Sequence, residues 1–230
     1  MQGGDNVFIK HAKIVLIWRI LILVSTIYGI YGGVYLAAGN PNPYFLLFYT
    51  TQSNLWCFLL YLYLVIKMIP ILAKRQLLPR NLVPPWLKGG LTSAIIVTFL
   101  LYQFIVVPYC LENGAMHQIF SSSDMAVHYL SPLLVFIDFI FCTQKTYYNW
   151  KTPFQWLSIP FTYFIYIVAR TFFNRPVPEP QHPYLYFFFD VQQIGVQSFI
   201  HNLLGITVMF LAVGYFLVLI NQIQLKKSSS

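Results

Sequence analysis

Six apolar runs, at about 14–37, 44–72, 89–108, 123–142, 154–173 and 196–223, limit what this chain can fold into. A helix needs roughly 18–20 such residues to cross about 30 Å of hydrocarbon. The runs are rich in Ile, Val, Phe and Tyr, which favour strands in water. In lipid, however, a crossing segment must satisfy its own backbone polar groups, so length points to helix. A transmembrane barrel would show short alternating segments, and these are absent. Only 9% of the 230 residues are charged, against about 25% in an average soluble domain. The expected fold is therefore all-α: an integral membrane protein with one six-transmembrane-helix domain over 1–230 and no internal repeat. The first run follows Lys10 and Lys13 as a signal peptide would, but it exceeds the roughly 7–15 residues of a signal core and reads as a retained helix.

Basic residues in short loops set the expected orientation. Lys10 and Lys13 precede the first run, and Lys74, Arg75, Arg80 and Lys88 separate the second from the third. Lys145 and Lys151 separate the fourth from the fifth, and Lys226 and Lys227 follow the sixth. The alternate loops lack this excess, so both termini are expected on the cytoplasmic side. The asymmetry accounts for the net charge of +8 without nucleic acid as a partner. Cys57, Cys110 and Cys142 have no metal-ligand spacing and read as small apolar residues.

Polar residues gather at one end of three runs. Thr50 to Asn54 interrupt the second run, and Thr51 and Asn54 share a helix face. In the fourth, "MAVHYLSPLLVFIDFIF", His128 lies four residues after Asp124 and three before Ser131, so the three form one stripe. Asp138 is ten residues beyond His128, about 15 Å deeper, which makes Asp124 the better local partner. Pro132 can kink this helix. In the sixth run Gln197, Ser198 and His201 cluster. Thr51, His128 and His201 fall at one depth, which predicts a shared polar pocket open to an acyl chain arriving sideways from lipid. Arg170 either snorkels to head groups or clamps an anion. The stretch "NRPVPEPQHPYLYFFFDVQQ" reads as an interfacial aromatic belt or a lid.

The motifs "YTTQSNL", "HYLSPLLVFID" and "HPYLYFFFDV" to "HNLLG" resemble prokaryotic relatives of the androgen-induced-gene / androgen-dependent TFPI-regulating protein family. These are six-helix intramembrane threonine hydrolases of fatty acid esters of hydroxy fatty acids. The resemblance implies a bacterial inner-membrane protein with Thr51 as nucleophile, because Thr51 stands three before Asn54 whereas Thr50 does not match. It implies His128 as the histidine, ten before Asp138. A threonine needs an adjacent base, and Gln52, Asn54 or Asn202 can stabilise an oxyanion. Ser131, His201 and Arg170 are further positioning candidates, and Asp124, Asp138 and Asp190 support them. No cofactor or metal is expected, since His128 and His201 with Asp124 or Asp190 lack diagnostic spacing. The expected partners are membrane lipids or an acyl-chain substrate. The alternatives are acyl transfer, or non-catalytic binding or transport of a lipid or small molecule.

Overall fold

A computed structural model of the chain describes residues 12–36, 43–74, 82–116, 119–143, 148–173 and 184–229. Its helices run Ala12–Tyr35 (α1), Tyr49–Ala73 (α2), Pro85–Glu112 (α3), Ser122–Phe141 (α4), Thr152–Trp156 (α5), Ser158–Phe172 (α6) and Val191–Lys226 (α7). There is no strand among the described residues. All but α5 and α6 are long and apolar enough to cross a membrane, which is the build of a helical membrane protein. The expected fifth crossing is instead divided at Leu157. Pro160 lies in the first turn of α6, where its missing N–H is tolerated, and it restarts the helix there. The 15 residues of α6 span about 22 Å, short of the hydrocarbon thickness. Lys10, Arg75, Arg80, Lys145 and the loop residues 174–183 lie outside the described residues, and with them much of the charge pattern behind the expected orientation.

The central helix is α3, packed against α2, α4, α5, α6 and α7, while α1 lies across α2 and α4. Tyr61, Leu64, Ile95, Val135 and Ile22 fill the space among the first four helices. Trp156, Tyr163, Phe210 and Leu217 fill that among α3, α5, α6 and α7. The α1–α4 pair is antiparallel and close. Gly29 faces Val127 and the backbone of α4 so tightly that any Cβ there would collide. Farther along the pair, the Ser25 and Ser131 hydroxyls are 2.8 Å apart.

At the other end of the same seam, four helices converge on one carboxylate. Asp138 of α4 is fully buried, as are Lys88 at 3% exposure and Arg19 at 6%. Arg19 Nε donates to Asp138 Oδ1 at 3.2 Å, and Lys88 Nζ lies 2.5 Å from Oδ2. The Tyr61 hydroxyl of α2 donates to Oδ2 at 3.0 Å. Arg19 also reaches the Cys142 carbonyl at 3.3 Å and Met68 Sδ at 2.9 Å. Lys88 was expected in the loop between the second and third runs, but α3 starts at Pro85 and carries it inside. Contact with the Asp138 carboxylate, shared with Arg19, offsets the burial of its charge; a lone buried charge would cost several kcal/mol.

Removing the carboxylate should therefore destabilise more than a typical substitution. Asp138→Ala strands two buried cations and should cost about 3–5 kcal/mol, read as a lowered unfolding midpoint in detergent. A midpoint equal to that of the wild type would show that the cluster is not what holds these helices.

Candidate functional site

The site is built where two helices widen. Pro108 of α3 and Pro132 of α4 each lack an N–H and crowd the carbonyl four residues earlier, so the regular helix cannot continue through them. Immediately before each, the helix opens into a π turn, Tyr102–Val106 and Ala126–Leu130. The Val107 N–H reaches back five residues to the Tyr102 carbonyl, and the Ser131 N–H does the same to Ala126. Such bulges recur at functional sites because they re-aim side chains. Here they bring Tyr102 and His128 face to face, with ring centroids 3.7 Å apart and planes within 16°.

His128 is held at both nitrogens. Nδ1 lies 2.9 Å from Asp124 Oδ1 and 3.1 Å from the Asp124 carbonyl, so its N–H has two acceptors. Both partners are acceptors, so Nδ1 carries a proton, and Nε2 is the nitrogen turned toward α2. Nε2 lies 3.1 Å from the Thr50 hydroxyl. Asp124 is fixed in turn by the Tyr102 hydroxyl and by the Phe120 N–H at 3.0 Å, both donating to Oδ2. Phe120 sits at φ 64, a left-handed conformation uncommon outside glycine. The Ser121 hydroxyl accepts the Asp124 N–H at 3.2 Å and starts α4 there. The result is a threonine–histidine–aspartate chain drawn from α2 and α4, with α3 supplying the stacked tyrosine.

The threonine of this chain is Thr50. Thr51, expected to face His128, is turned about 100° round the helix. It is fully buried and donates to the Phe45 carbonyl at 2.7 Å, clamping the 3-10 turn Pro43–Leu47 onto α2. Thr50 is the second residue of α2, where backbone amides have no intrahelical acceptor and the helix dipole favours negative charge.

Thr50, His128 and Tyr102 form one end of a cavity of about 890 Å³, within the range of small-ligand sites. The rest of its wall is almost entirely apolar, contributed by α3, α6 and α7 and by the segment around Tyr186 and Phe189. Tyr49 closes one side, edge-on to Tyr163 and Phe210 at 5.0 and 6.0 Å.

No family model, curated protein or solved structure matches this chain. The site therefore stands on its own geometry.

Most of the other expected residues are engaged elsewhere. Gln52 donates to the Leu46 carbonyl at 2.7 Å, and Asn202 to the Phe188 carbonyl at 2.8 Å. Asn54 is fully buried and bridges the Thr50 and Val127 carbonyls at 2.9 and 3.1 Å, tying α2 to the widened part of α4. Ser131 pairs with Ser25, and Asp138 belongs to the ion cluster. Asp190 accepts the Gln192 and Gln193 N–H groups at 3.1 and 3.3 Å, capping α7. His201 is exposed because the cavity side of α7 is the Phe199–Leu203–Ile206 stripe, and His201 lies across the helix from it. Arg170 is half-buried on α6 and does not line the cavity. The pocket expected from equal depth thus keeps His128 but not His201. Among the described residues, no three His, Cys, Asp or Glu side chains gather as a metal donor set.

Tyr102 was not among the expected residues, and Thr50 was weighed and passed over for Thr51. The matched prolines, Pro108 and Pro132, were the available signal for Tyr102.

The tautomer can be checked directly. In protein labelled with 15N-histidine, His128 should show a protonated Nδ1 and an unprotonated Nε2. Asp124→Ala should weaken that preference, since the backbone carbonyl of residue 124 stays behind as the second acceptor. A proton found on Nε2 in the wild type would remove His128 as the acceptor of the Thr50 proton.

Proposed function

We propose that this protein is a membrane-embedded hydrolase of lipid carboxylic esters, with Thr50 as nucleophile, His128 as general base and Asp124 as the carboxylate that orients it. The observation carrying the reading is the 3.1 Å contact between the Thr50 hydroxyl and His128 Nε2 on the wall of a largely apolar cavity. A threonine hydroxyl is a weak nucleophile until a neighbouring base takes its proton, and a histidine held by a carboxylate is the usual means.

In the proposed reaction, Thr50 Oγ1 attacks the ester carbonyl as its proton passes to His128 Nε2. The tetrahedral oxyanion is stabilised by the Thr50 and Thr51 N–H groups of α2, since the Tyr49 and Gln52 amides already donate to the Tyr186 hydroxyl and the Phe48 carbonyl, with the Gln52, Asn54 and Asn202 side chains kept for structure. As the C–O bond breaks, the imidazolium returns the proton to the departing alkoxide, leaving acyl-threonine. Water then gives a proton to Nε2 and attacks the acyl carbon, and the imidazolium returns that proton to Thr50 Oγ1 as the acyl–oxygen bond breaks, releasing the acid and restoring both residues. If an alcohol replaces water, the same sequence is acyl transfer.

This reading keeps the likeness to the androgen-induced-gene family and the class of substrate it implies, but moves the nucleophile by one residue. It also keeps six crossings with both termini on the cytoplasmic side of a bacterial inner membrane, which requires α5 and α6 to serve together as one crossing. The apolar cavity favours one alternative, a lipid-binding protein that does no chemistry.

Four variants separate these readings. A fluorophosphonate probe should label the wild type and Thr51→Ala, but not Thr50→Ala. His128→Ala should lower hydrolysis of a long-chain ester about 10²–10⁴-fold, while Thr51→Ala should lose mainly stability, about 1 kcal/mol. Thr50→Ser should keep measurable turnover. A wild-type protein that takes up lipid but is never labelled is a binding protein.

A further inference from the structure

The cavity wall has a weak seam. Helices α6 and α7 both rest on α3 but scarcely meet each other along their lengths. The gap is lined by Phe164 and Ile167 of α6 and by Phe199, Leu203 and Ile206 of α7. From Phe199 to Phe210 the lining extends about 16 Å along α7, over half the thickness of a hydrocarbon core. Phe161 and Val168 line the cavity and yet are 61% and 48% exposed, so the space opens to the outside between these helices. The flanking surface, including Ile165, Leu204 and Val208, is apolar and suited to lipid.

One side chain bridges the seam at its Thr50 end. Phe189 lies edge-on to Phe164 at 5.8 Å and against Phe199 at 5.8 Å. Its segment is tied down at Tyr186, whose hydroxyl accepts the Tyr49 N–H at 2.6 Å, and at the Phe188 carbonyl held by Asn202. Past the Asp190 cap, Gly195 breaks α7 at φ 76 and ψ 161, a conformation open essentially to glycine alone. The piece carrying Phe189 is thus joined to the long part of α7 through a flexible residue.

We propose that the α6–α7 seam is a lateral portal that binds one acyl chain of a membrane lipid and admits it from the bilayer, with Phe189 as the bar across its Thr50 end. The inference goes beyond the hydrolase reading and does not need it, since a lipid-binding protein would use the same portal. The occupant is hydrocarbon because Phe161, Phe164, Ile167, Val168, Phe199, Leu203 and Ile206, which line the seam, are all apolar. Its length and the Thr50–His128 pair on the cavity wall match a chain whose carboxyl or ester group lies beside those two residues.

The test uses the full-length protein in phosphatidylcholine nanodiscs with a diazirine-bearing palmitic acid, followed by irradiation and peptide mapping. Label on outward faces should persist under excess unlabelled palmitate. Label that is competed away should map to 161–168 and 199–210. Leu203→Trp should lose most of that competed label, and Phe189→Ala should acquire it faster. Competed label elsewhere, or no competed label at all, overturns the portal. If Leu203→Trp does not fold, the wild-type map alone decides. Thr50→Ala separates the two proposals, because it should lose ester hydrolysis and keep the seam label. A wild type labelled at the seam but inactive on every ester sinks the hydrolase and leaves the portal standing.

Discussion

Asp138 is the constraint around which the first four helices are arranged. A carboxylate buried in an apolar bundle needs opposite charge at contact distance, and Arg19 and Lys88 supply it from α1 and α3 while Tyr61 contributes a hydroxyl from α2. Apolar side chains can slide past one another at small cost, especially where lipid is as good a neighbour as leucine. Ionic hydrogen bonds cannot slide, so the cluster fixes the rotation and depth of each helix. With α4 held at Asp138, His128 sits about 15 Å along the same helix. The geometry of the candidate site thus depends on a contact at the other end of the bundle.

Between these two levels, the helices are deformed in a controlled way. Pro108 and Pro132 face the same problem of a missing donor, and both are resolved by a five-residue reach of the preceding N–H. Had α3 and α4 remained regular, Tyr102 and His128 would be rotated out of register. Phe120 adds backbone strain, and its amide is spent on Asp124. Strain of this kind persists where surrounding structure over-determines it. Here that surrounding structure is the hydrogen-bonded start of α4.

How much was legible follows from what sequence spacing encodes. The pairing of Asp124 with His128 lies within one helix and follows from an i, i+4 spacing. The exclusion of Asp138 as a direct partner follows from helical rise. The choice between Thr50 and Thr51 depends on rotation about the axis of α2, and a segment apolar on nearly all sides does not reveal which face turns inward. The same uncertainty displaced His201, which lies across α7 from its cavity stripe. Lys88 was misread for a different reason: a basic residue near a helix start looks like a loop charge until its partner, 50 residues later, is seen. Arg19 carried the complementary clue, a lone cation inside a hydrophobic run, for which the usual expectation is a buried partner.

The seam between α6 and α7 means something different in a bilayer from what it would mean in water. In a soluble protein two such faces would be driven together, because parting them would expose apolar surface to solvent. Surrounded by acyl tails, each helix already has its backbone satisfied internally and gains little from its neighbour that a lipid does not also give. The solvent itself therefore acts as a wedge. What keeps the wall in one piece is its attachment to α3 and the ring of Phe189, and in the proposed portal the bilayer would complete the cavity's lining.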